Sequence, residues 1–245
     1  MWTTSAPSRF WTSGPPSNAA WTRPTSSPSP SGRKANPRRA PPPRRSNRRP
    51  PAGIIRALTP PGSIRVIGGK WRRALIPIPD VTGVRPSPDR VRETLFNWLA
   101  PRIAGCTCLD LFAGTGVLGI EAASRGAGRV VSVDHDPTVV RALQALATRL
   151  GARELCVVRA DALAFLAGAA MPCDLVFLDP PFSERLWQRC CEGLQNGGWL
   201  KPGARVYLEA PRGTPLPLPA GWQVHRAGRA GQVQFCLALP SASRP

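Results

Sequence analysis

The sequence predicts an α/β fold, with a doubly wound, mostly parallel sheet of seven strands preceded by a small hairpin and a helix. From residue 106 onward, short apolar runs alternate with helical segments, as in parallel strands joined by crossover helices. Two of these runs are followed by aspartate, at Asp134 and Asp179. The carboxyl ends of parallel strands form a crevice for ligands, so these acids indicate a site there.

The first quarter of the chain differs in composition from the rest. Residues 1–60 contain eleven basic and no acidic residues, many prolines and serines, and no apolar periodicity. Such a segment buries too little apolar surface to offset the entropy of ordering, so residues 1–62 are predicted to be a disordered basic extension. An organelle transit peptide and a misassigned translation start are the open alternatives.

The folded part is predicted to start with a hairpin and a helix in residues 63–101. Gly68 and Gly69 lie between two apolar runs and would form the turn, with basic residues at its tip. Ser87 would cap the helix, with Pro88 at its first position. The apolar helix face is predicted to hold Val91, Leu95, Trp98 and Leu99.

The seven strands are predicted within residues 102–240, and residues 241–245 would form a tail. The strands are 106–112, 129–133, 154–158, 173–178, 204–209, 222–226 and 232–239. Asp136 would cap the helix after the second strand, with Pro137 at its first position. A helix from Leu186 to Leu194 would follow the fourth strand. The last two strands are close enough in sequence to form an antiparallel hairpin at the sheet edge.

Charge and cysteine content narrow the class of partner. Beyond residue 60 the chain holds 22 basic residues (33 less 11) and all 14 acidic ones, a net charge of +8. This favours a polyanionic partner, although a protein that merely has a high isoelectric point is the alternative. The seven cysteines are odd in number and irregularly spaced, so we expect free thiols, no metal site and a cytoplasmic location. No apolar run approaches membrane-spanning length, and we expect no membrane partner.

A glycine-rich segment after the first strand predicts a nucleotide site. Gly114, Gly116 and Gly119 have the spacing of the dinucleotide fingerprint, and Asp134 lies 20 residues beyond Gly114. An NAD-dependent oxidoreductase would fit this spacing, but no proton donor of a substrate domain is evident after the fourth strand. Asp110 just before the loop would repel pyrophosphate and suits a cationic amino group. With Asp134 at a ribose and Asp161 at an adenine amine, the acids favour S-adenosylmethionine.

The residues after the fourth strand, Asp179-Pro180-Pro181-Phe182, are the predicted catalytic segment. The two prolines hold the chain in a defined extended turn. Phe182 would stack on a flat base, while Asp179 and the Pro180 carbonyl would accept the two hydrogens of an exocyclic amine. A turn that merely ends a core strand is the alternative, and the nucleotide site makes it the weaker one.

Together these segments resemble class I methyltransferases that act on exocyclic amines. Arg65-Val-Ile-Gly-Gly, the stretch 85–99 and Gly231-Gln-Val are similar to the RsmD family of bacterial 16S rRNA guanine-N2 methyltransferases, over about residues 63–239. The resemblance implies a Rossmann-like fold, S-adenosylmethionine as cofactor, the small ribosomal subunit as partner and guanine 966 of its RNA as target. Another RNA, or adenine in DNA, is the alternative target. A non-catalytic RNA-binding protein is a further alternative, but it would not need Asp110, Asp134, Asp161 and Asp179. We expect a monomer.

The predicted site residues fall into three groups. The catalytic group is Asp179, Pro180, Pro181 and Phe182. The cofactor group is Asp110, Phe112, Gly114, Thr115, Gly116, Asp134, His135, Asp161 and Ala162. The group that would bind RNA phosphates is Arg65, Lys70, Arg72, Arg85, Arg90 and Arg92.

Overall fold

The computed structural model describes residues 62–81, 87–182, 186–216 and 218–241. The predictions for residues 1–61, for Arg85 and for the tail beyond Ser241 lie outside these ranges. Within them, no helix is long and apolar enough to cross a membrane.

The N-terminal part consists of a short antiparallel strand pair and a helix. Strands β1 (Ser63–Arg65) and β2 (Leu75–Pro77) pair with Ile64 opposite Ile76, and both of these side chains are buried. The first helix, α1, spans Asp89–Leu99 and buries an apolar stripe against the core. The strand pair and the helix lie where the sequence predicts them, but each strand has only three residues, and α1 also buries Phe96.

The predicted helix cap at Ser87 was wrong. The residue at the N-cap position is Pro88, in an extended conformation, and no side chain among the described residues caps α1. The Ser87 hydroxyl instead contacts two carboxylates of the site described below. Buried carboxylates need hydrogen-bond donors, whereas water can satisfy the N–H groups at an exposed helix end, so the serine contributes more in the interior.

The remaining strands form one seven-stranded sheet, as the sequence predicts. They are β3 (Thr107–Asp110), β4 (Arg129–Asp134), β5 (Leu155–Arg159), β6 (Cys173–Leu178), β7 (Leu200–Pro211), β8 (Gln223–Ala230) and β9 (Val233–Leu239). Their order is β5-β4-β3-β6-β7-β9-β8, and the first five strands are mutually parallel. Strand β9 is antiparallel to both neighbours. The order reverses direction between β3 and β6, which is where such sheets bind ligands.

Four further helices cover the two faces of the sheet. They are α2 (Val117–Ser124), α3 (Pro137–Leu150), α4 (Ala162–Leu166) and α5 (Trp187–Asn196). The predicted cap of α3 is confirmed, since the Asp136 side chain accepts from the N–H groups of Thr138 and Val139 at 2.6 and 3.2 Å. Helix α4 was not predicted, because five residues are too short to show a helical period.

The core is apolar on both faces of the sheet. One layer lies under the hairpin, α1 and α2, and the other lies under α4 and α5. All seven cysteines lie in the described ranges, none forms a disulfide, and five are buried. Burial raises the pKa of these thiols, for example to about 12 at Cys173 and Cys190. They therefore act as packing residues and are poor nucleophiles.

Candidate active site

The loop between β3 and α2 adopts a conformation that favours glycine. Gly114 and Gly116 have φ angles of 50° and 75°. A Cβ atom on Gly116 would lie 2.1 Å from Cδ2 of Leu143 in α3, so there is no room for a larger residue. Glycine at this position therefore allows the loop to pack closely against α3.

Asp134 at the end of β4 is fixed by the backbone around it. One carboxylate oxygen accepts the N–H of Gly114 at 2.9 Å, and the other accepts the N–H of Asp136 at 2.9 Å. Only 11% of the side chain is exposed. These bonds hold the acid beside the glycine loop, in the place where a ribose-binding acid is expected.

A cavity at the carboxyl end of the sheet brings together five of the nine predicted cofactor residues, without Asp110 and the glycine loop. It is lined by Leu111, Phe112, Asp134, His135, Asp161, Ala162, Pro181 and Leu186. Asp161 is exposed, and one of its oxygens caps α4 by accepting the N–H of Ala164 at 2.9 Å. Pro181 belongs to the predicted catalytic segment, so the two sites are contiguous.

Asp110 lies deeper than its predicted role required. Its side chain is buried, and Oδ2 accepts the N–H of Gly119 in the first turn of α2 at 3.1 Å. Burial raises the pKa of this carboxyl from 3.8 to about 7, the bond from Gly119 offsets part of the rise, and the Asp134 carboxylate adds to it. Asp110 therefore holds α2 against β3, and a direct contact with a cofactor amino group stays a prediction.

Asp179 follows β6 and lies beside a second acid that was not predicted. Oγ of Ser87 is 3.1 Å from Oε2 of Glu209 and 3.5 Å from Oδ2 of Asp179. The Tyr207 hydroxyl donates to Oε2 of Glu209 at 2.7 Å. Burial raises the pKa of both carboxyls, and repulsion from Glu209 and Asp110 raises that of Asp179 further.

This arrangement favours one negative charge on the two carboxyls together. Ser87 has a single hydroxyl proton and can donate to only one of them at a time. Like charges held this close resist simultaneous ionisation. A proton on one acid can donate to the Ser87 oxygen while the Ser87 hydroxyl donates to the other acid. The site is thus suited to accept hydrogen bonds and to take up a proton.

Glu209 could have been found from the sequence. It lies at the end of an apolar run, as Asp134 and Asp179 do, and the same rule about strand ends applies to it. What the sequence does not show is that β7 is the direct neighbour of β6, which brings Glu209 beside Asp179.

Phe182 is a large apolar side chain at the surface. It is 40% exposed, and its ring centroid lies 6.0 Å from that of Trp187. Trp187 is buried and donates from Nε1 to the carbonyl of Glu209 at 2.8 Å. A rigid aromatic therefore supports one side of Phe182, and much of the rest of its ring is accessible to a ligand.

The prediction that Arg92 binds RNA phosphate was wrong. Its side chain is fully buried in α1. The guanidinium donates to the carbonyls of Arg65 and Ser87 at 3.2 to 3.3 Å and pairs with Asp89 at 2.6 Å. Its donors are used inside the fold, so it supports the site from within.

The other predicted RNA residues differ in exposure. Arg72 and Arg90 are exposed, and Arg65 is half-buried. Lys70 is exposed but forms an ion pair with Glu154. These four residues keep enough surface for phosphate contacts, which stay a prediction.

Glu121 of α2 anchors the hairpin to the sheet domain. Its fully buried carboxylate accepts the N–H groups of Ile67 and Gly68 and the Nε–H of Arg125, each at 2.8 Å. Arg92 approaches the same carboxylate at 3.6 Å. The hairpin therefore meets α2 through a saturated buried acid.

Comparison with known proteins identifies the family. A family model described as Conserved hypothetical protein 95 matches residues 64–239. Ribosomal RNA small subunit methyltransferase D of Escherichia coli K12 is 45% identical over 177 residues, which cover 72% of this chain and 89% of the relative. The chain belongs to the ribosomal RNA small subunit methyltransferase D family.

Further relatives are similar to this chain in sequence and in structure. The Haemophilus influenzae protein of the same name is 39% identical over 72% of this chain and 93% of its own length. The solved structure of yhhF from Escherichia coli, named as a methyltransferase, has a TM-score of 0.68 and 43% identity, covering 74% of this chain and 99% of that one. The family match includes every predicted site residue and begins after the basic extension.

Proposed function

We propose that this protein transfers a methyl group from S-adenosylmethionine to the exocyclic N2 amine of a guanine in the 16S rRNA of the small ribosomal subunit. The observation that carries the proposal is the position of Pro181, where the predicted cofactor and catalytic sites meet. This residue lines the same cavity as Asp134 and Asp161, and it directly precedes Phe182. The segment suited to an amine on a flat base therefore lies beside the segment suited to an adenosine. The relatives' name, ribosomal RNA small subunit methyltransferase, supports the choice of substrate.

The donor set fits S-adenosylmethionine. Asp134 is held by two backbone N–H groups and would accept from the ribose hydroxyls, and Asp161 would accept from the adenine amine. The glycine loop leaves its backbone accessible to the methionine part. Bound S-adenosylmethionine supplies a methyl group already activated by a positive sulfonium, which carboxylates near the site stabilise.

The catalytic segment would align and activate the amine. The lone pair of guanine N2 is delocalised into the ring, so hydrogen bonds from N2 to Asp179 and to the Pro180 carbonyl would make it more available for attack. Alignment of amine and methyl group can supply several kcal/mol of the barrier. The Asp179 carboxylate also stabilises positive charge that develops on the nitrogen.

Phe182 would hold the base once it has left its stack. An extruded base needs a new apolar partner, and stacking on an aromatic side chain contributes about 1–3 kcal/mol per base. The exposed ring of Phe182, backed by Trp187, offers such a surface next to Asp179. Guanine 966, inferred from the resemblance, is the position we propose.

We further propose a cytoplasmic monomer. Seven free cysteines suit a reducing compartment. Sedimentation of the purified protein with and without ribosomal subunits would test the monomeric state.

The direct test is transfer of labelled methyl from S-adenosylmethionine to small subunits that lack the modification, followed by nucleoside analysis. Asp179→Ala is compared with Asp80→Ala, a matched control at an exposed acid outside the site. We expect N2-methylguanosine with the wild type and with the control. We expect a loss of at least about 100-fold with Asp179→Ala, while S-adenosylhomocysteine binding stays within about twofold, since no cofactor contact is removed.

Three outcomes would contradict the proposal. Label in adenosine, or transfer to DNA in a parallel reaction, would move the target to another substrate. Absence of transfer by the wild type would refute the activity. Equal loss of methyl transfer and cofactor binding in Asp179→Ala would refute the division between the catalytic and cofactor residues.

A further inference from the structure

The outer edge of the sheet carries arginines to which no role has been assigned so far. Strand β8 has β9 as its neighbour in the sheet and forms the edge. Arg226 and Arg229 on this strand are exposed, as is Arg212 in the turn after β7. The N–H of Arg212 donates to the carbonyl of Gln232 at 2.8 Å, which places this turn against the β8–β9 hairpin. We call Arg212, Arg226 and Arg229 the edge arginines.

The edge arginines give the outer edge of the sheet one sign of charge, with Arg226 and Arg229 on opposite faces of β8. In the stretch 200–241 the acidic residue is Glu209, and it is buried. Within the described ranges none of the edge arginines forms an ion pair. Their charges are therefore not neutralised within this part of the fold, and they attract polyanions.

Strand direction places this surface at the same end of the sheet as the active site. Strands β7 and β8 are both antiparallel to β9, so they run in the same direction. The register sets Arg229 opposite Gln234 and Gln234 opposite Ala210, the residue after Glu209. With about 4.8 Å between strands, the Arg229 backbone lies about 10 Å from Ala210 and about 15 Å from Asp179. A strand of RNA covers this distance in a few nucleotides.

We propose that the edge arginines bind the phosphates of the RNA segment that flanks the target guanine. The inference rests on the proposed function and extends it, because it assigns the RNA path to β8 in addition to the hairpin and α1. The planar guanidinium matches the geometry of phosphate and binds it with two hydrogen bonds. Such contacts position the RNA without reading its sequence.

The test compares two double variants that lose the same charge. Arg226→Ala/Arg229→Ala removes two edge arginines. Arg102→Ala/Arg153→Ala removes two exposed arginines that precede β3 and β5, at the opposite end of the strands. For each, the KM for small subunits is measured at several salt concentrations, together with kcat and the affinity for S-adenosylhomocysteine.

We expect the edge variant to raise KM about tenfold and to flatten the log–log salt dependence by about 1 to 2, with kcat and cofactor affinity unchanged. The control should keep KM within about twofold. Arg226→Lys/Arg229→Lys retains the charge and should restore most of the salt dependence.

Each contrary result has a distinct meaning. An unchanged KM in the edge variant, or an equal change in both double variants, would overturn the proposal for the edge arginines while the wild type still transfers methyl groups. If the wild type transfers none, the proposed function itself fails. Binding of the same variants to a fragment of 16S rRNA would then show whether the edge arginines contact RNA at all.

Discussion

Replacing Asp110 by asparagine is expected to stabilise the folded protein progressively as the pH rises. The carboxyl is 2% exposed, and burial raises its pKa from 3.8 to about 7. A raised pKa means that the folded state binds the proton more tightly than the unfolded chain does. The resulting stabilisation is complete below about pH 3.8 and is lost as the pH rises through 7. At about 1.4 kcal/mol per pH unit, the loss amounts to about 4 kcal/mol.

Asparagine removes the titration and keeps the shape. Its amide oxygen can still accept the N–H of Gly119, which lies 3.1 Å from the wild-type carboxylate. The variant therefore does not incur the cost of a buried charge at neutral pH. From the pKa of Asp110, the free energy of unfolding of the variant relative to the wild type should grow by about 2–3 kcal/mol between about pH 5 and about pH 8.

Urea unfolding of both proteins over this pH range measures the effect. The difference between them isolates Asp110 from groups such as Asp174 and Asp136, whose lowered pKa values give the opposite pH dependence. Asp80→Asn, the same substitution at an exposed acid, is the control for the change of residue type. A constant offset between Asp110→Asn and the wild type at every pH would refute the reasoning.

Substitutions at Phe182, Glu121 and Gly116 test three further features of the structure. Phe182→Ala should raise the KM for subunits by about 5- to 150-fold, the equivalent of 1–3 kcal/mol of stacking. Phe182→Tyr should retain activity, because tyrosine keeps the aromatic ring. A tyrosine variant as inactive as the alanine variant would contradict stacking. Glu121→Gln should lower the free energy of unfolding by about 3 kcal/mol, because the buried Arg92 then keeps only the exposed Asp89 as a charged partner. A change below about 1 kcal/mol would contradict this contribution. Gly116→Ala should weaken S-adenosylhomocysteine binding and destabilise the fold more than Gly105→Ala, which has the same φ of 75° but open space around it. Equal effects of the two would show that backbone strain, and not the steric clash, is decisive.

The sequence predicts the features that depend on local patterns. Apolar runs of strand length alternate with helical segments, so the seven strands and their mostly parallel arrangement are predictable. The cap at Asp136 was predicted because aspartate and proline lie at consecutive positions with known preferences. These features depend on neighbours in the chain.

The errors concern residues whose partners are distant in sequence. Serine is a common helix-capping residue, but the hydroxyl of Ser87 contacts Glu209, 122 residues away. Arginine usually lies at the surface, but the carbonyl of Arg65 and the carboxylate of Glu121 hold Arg92 inside the fold. Local sequence patterns do not show which acids become buried. The position of these buried acids decides where an arginine or a serine side chain points.

The bonds to Glu121 have a consequence for how this protein can be dissected. Deleting the N-terminal hairpin would remove the N–H groups of Ile67 and Gly68 from Glu121 and uncover the core cluster that Ile64, Val66 and Ile76 complete. The lost apolar burial and hydrogen bonds cost several kcal/mol, enough to unfold many domains of this size. The hairpin is thus not a detachable module. The RNA contacts predicted for it have to be measured by substitutions at its tip, since a truncation would report mainly on folding.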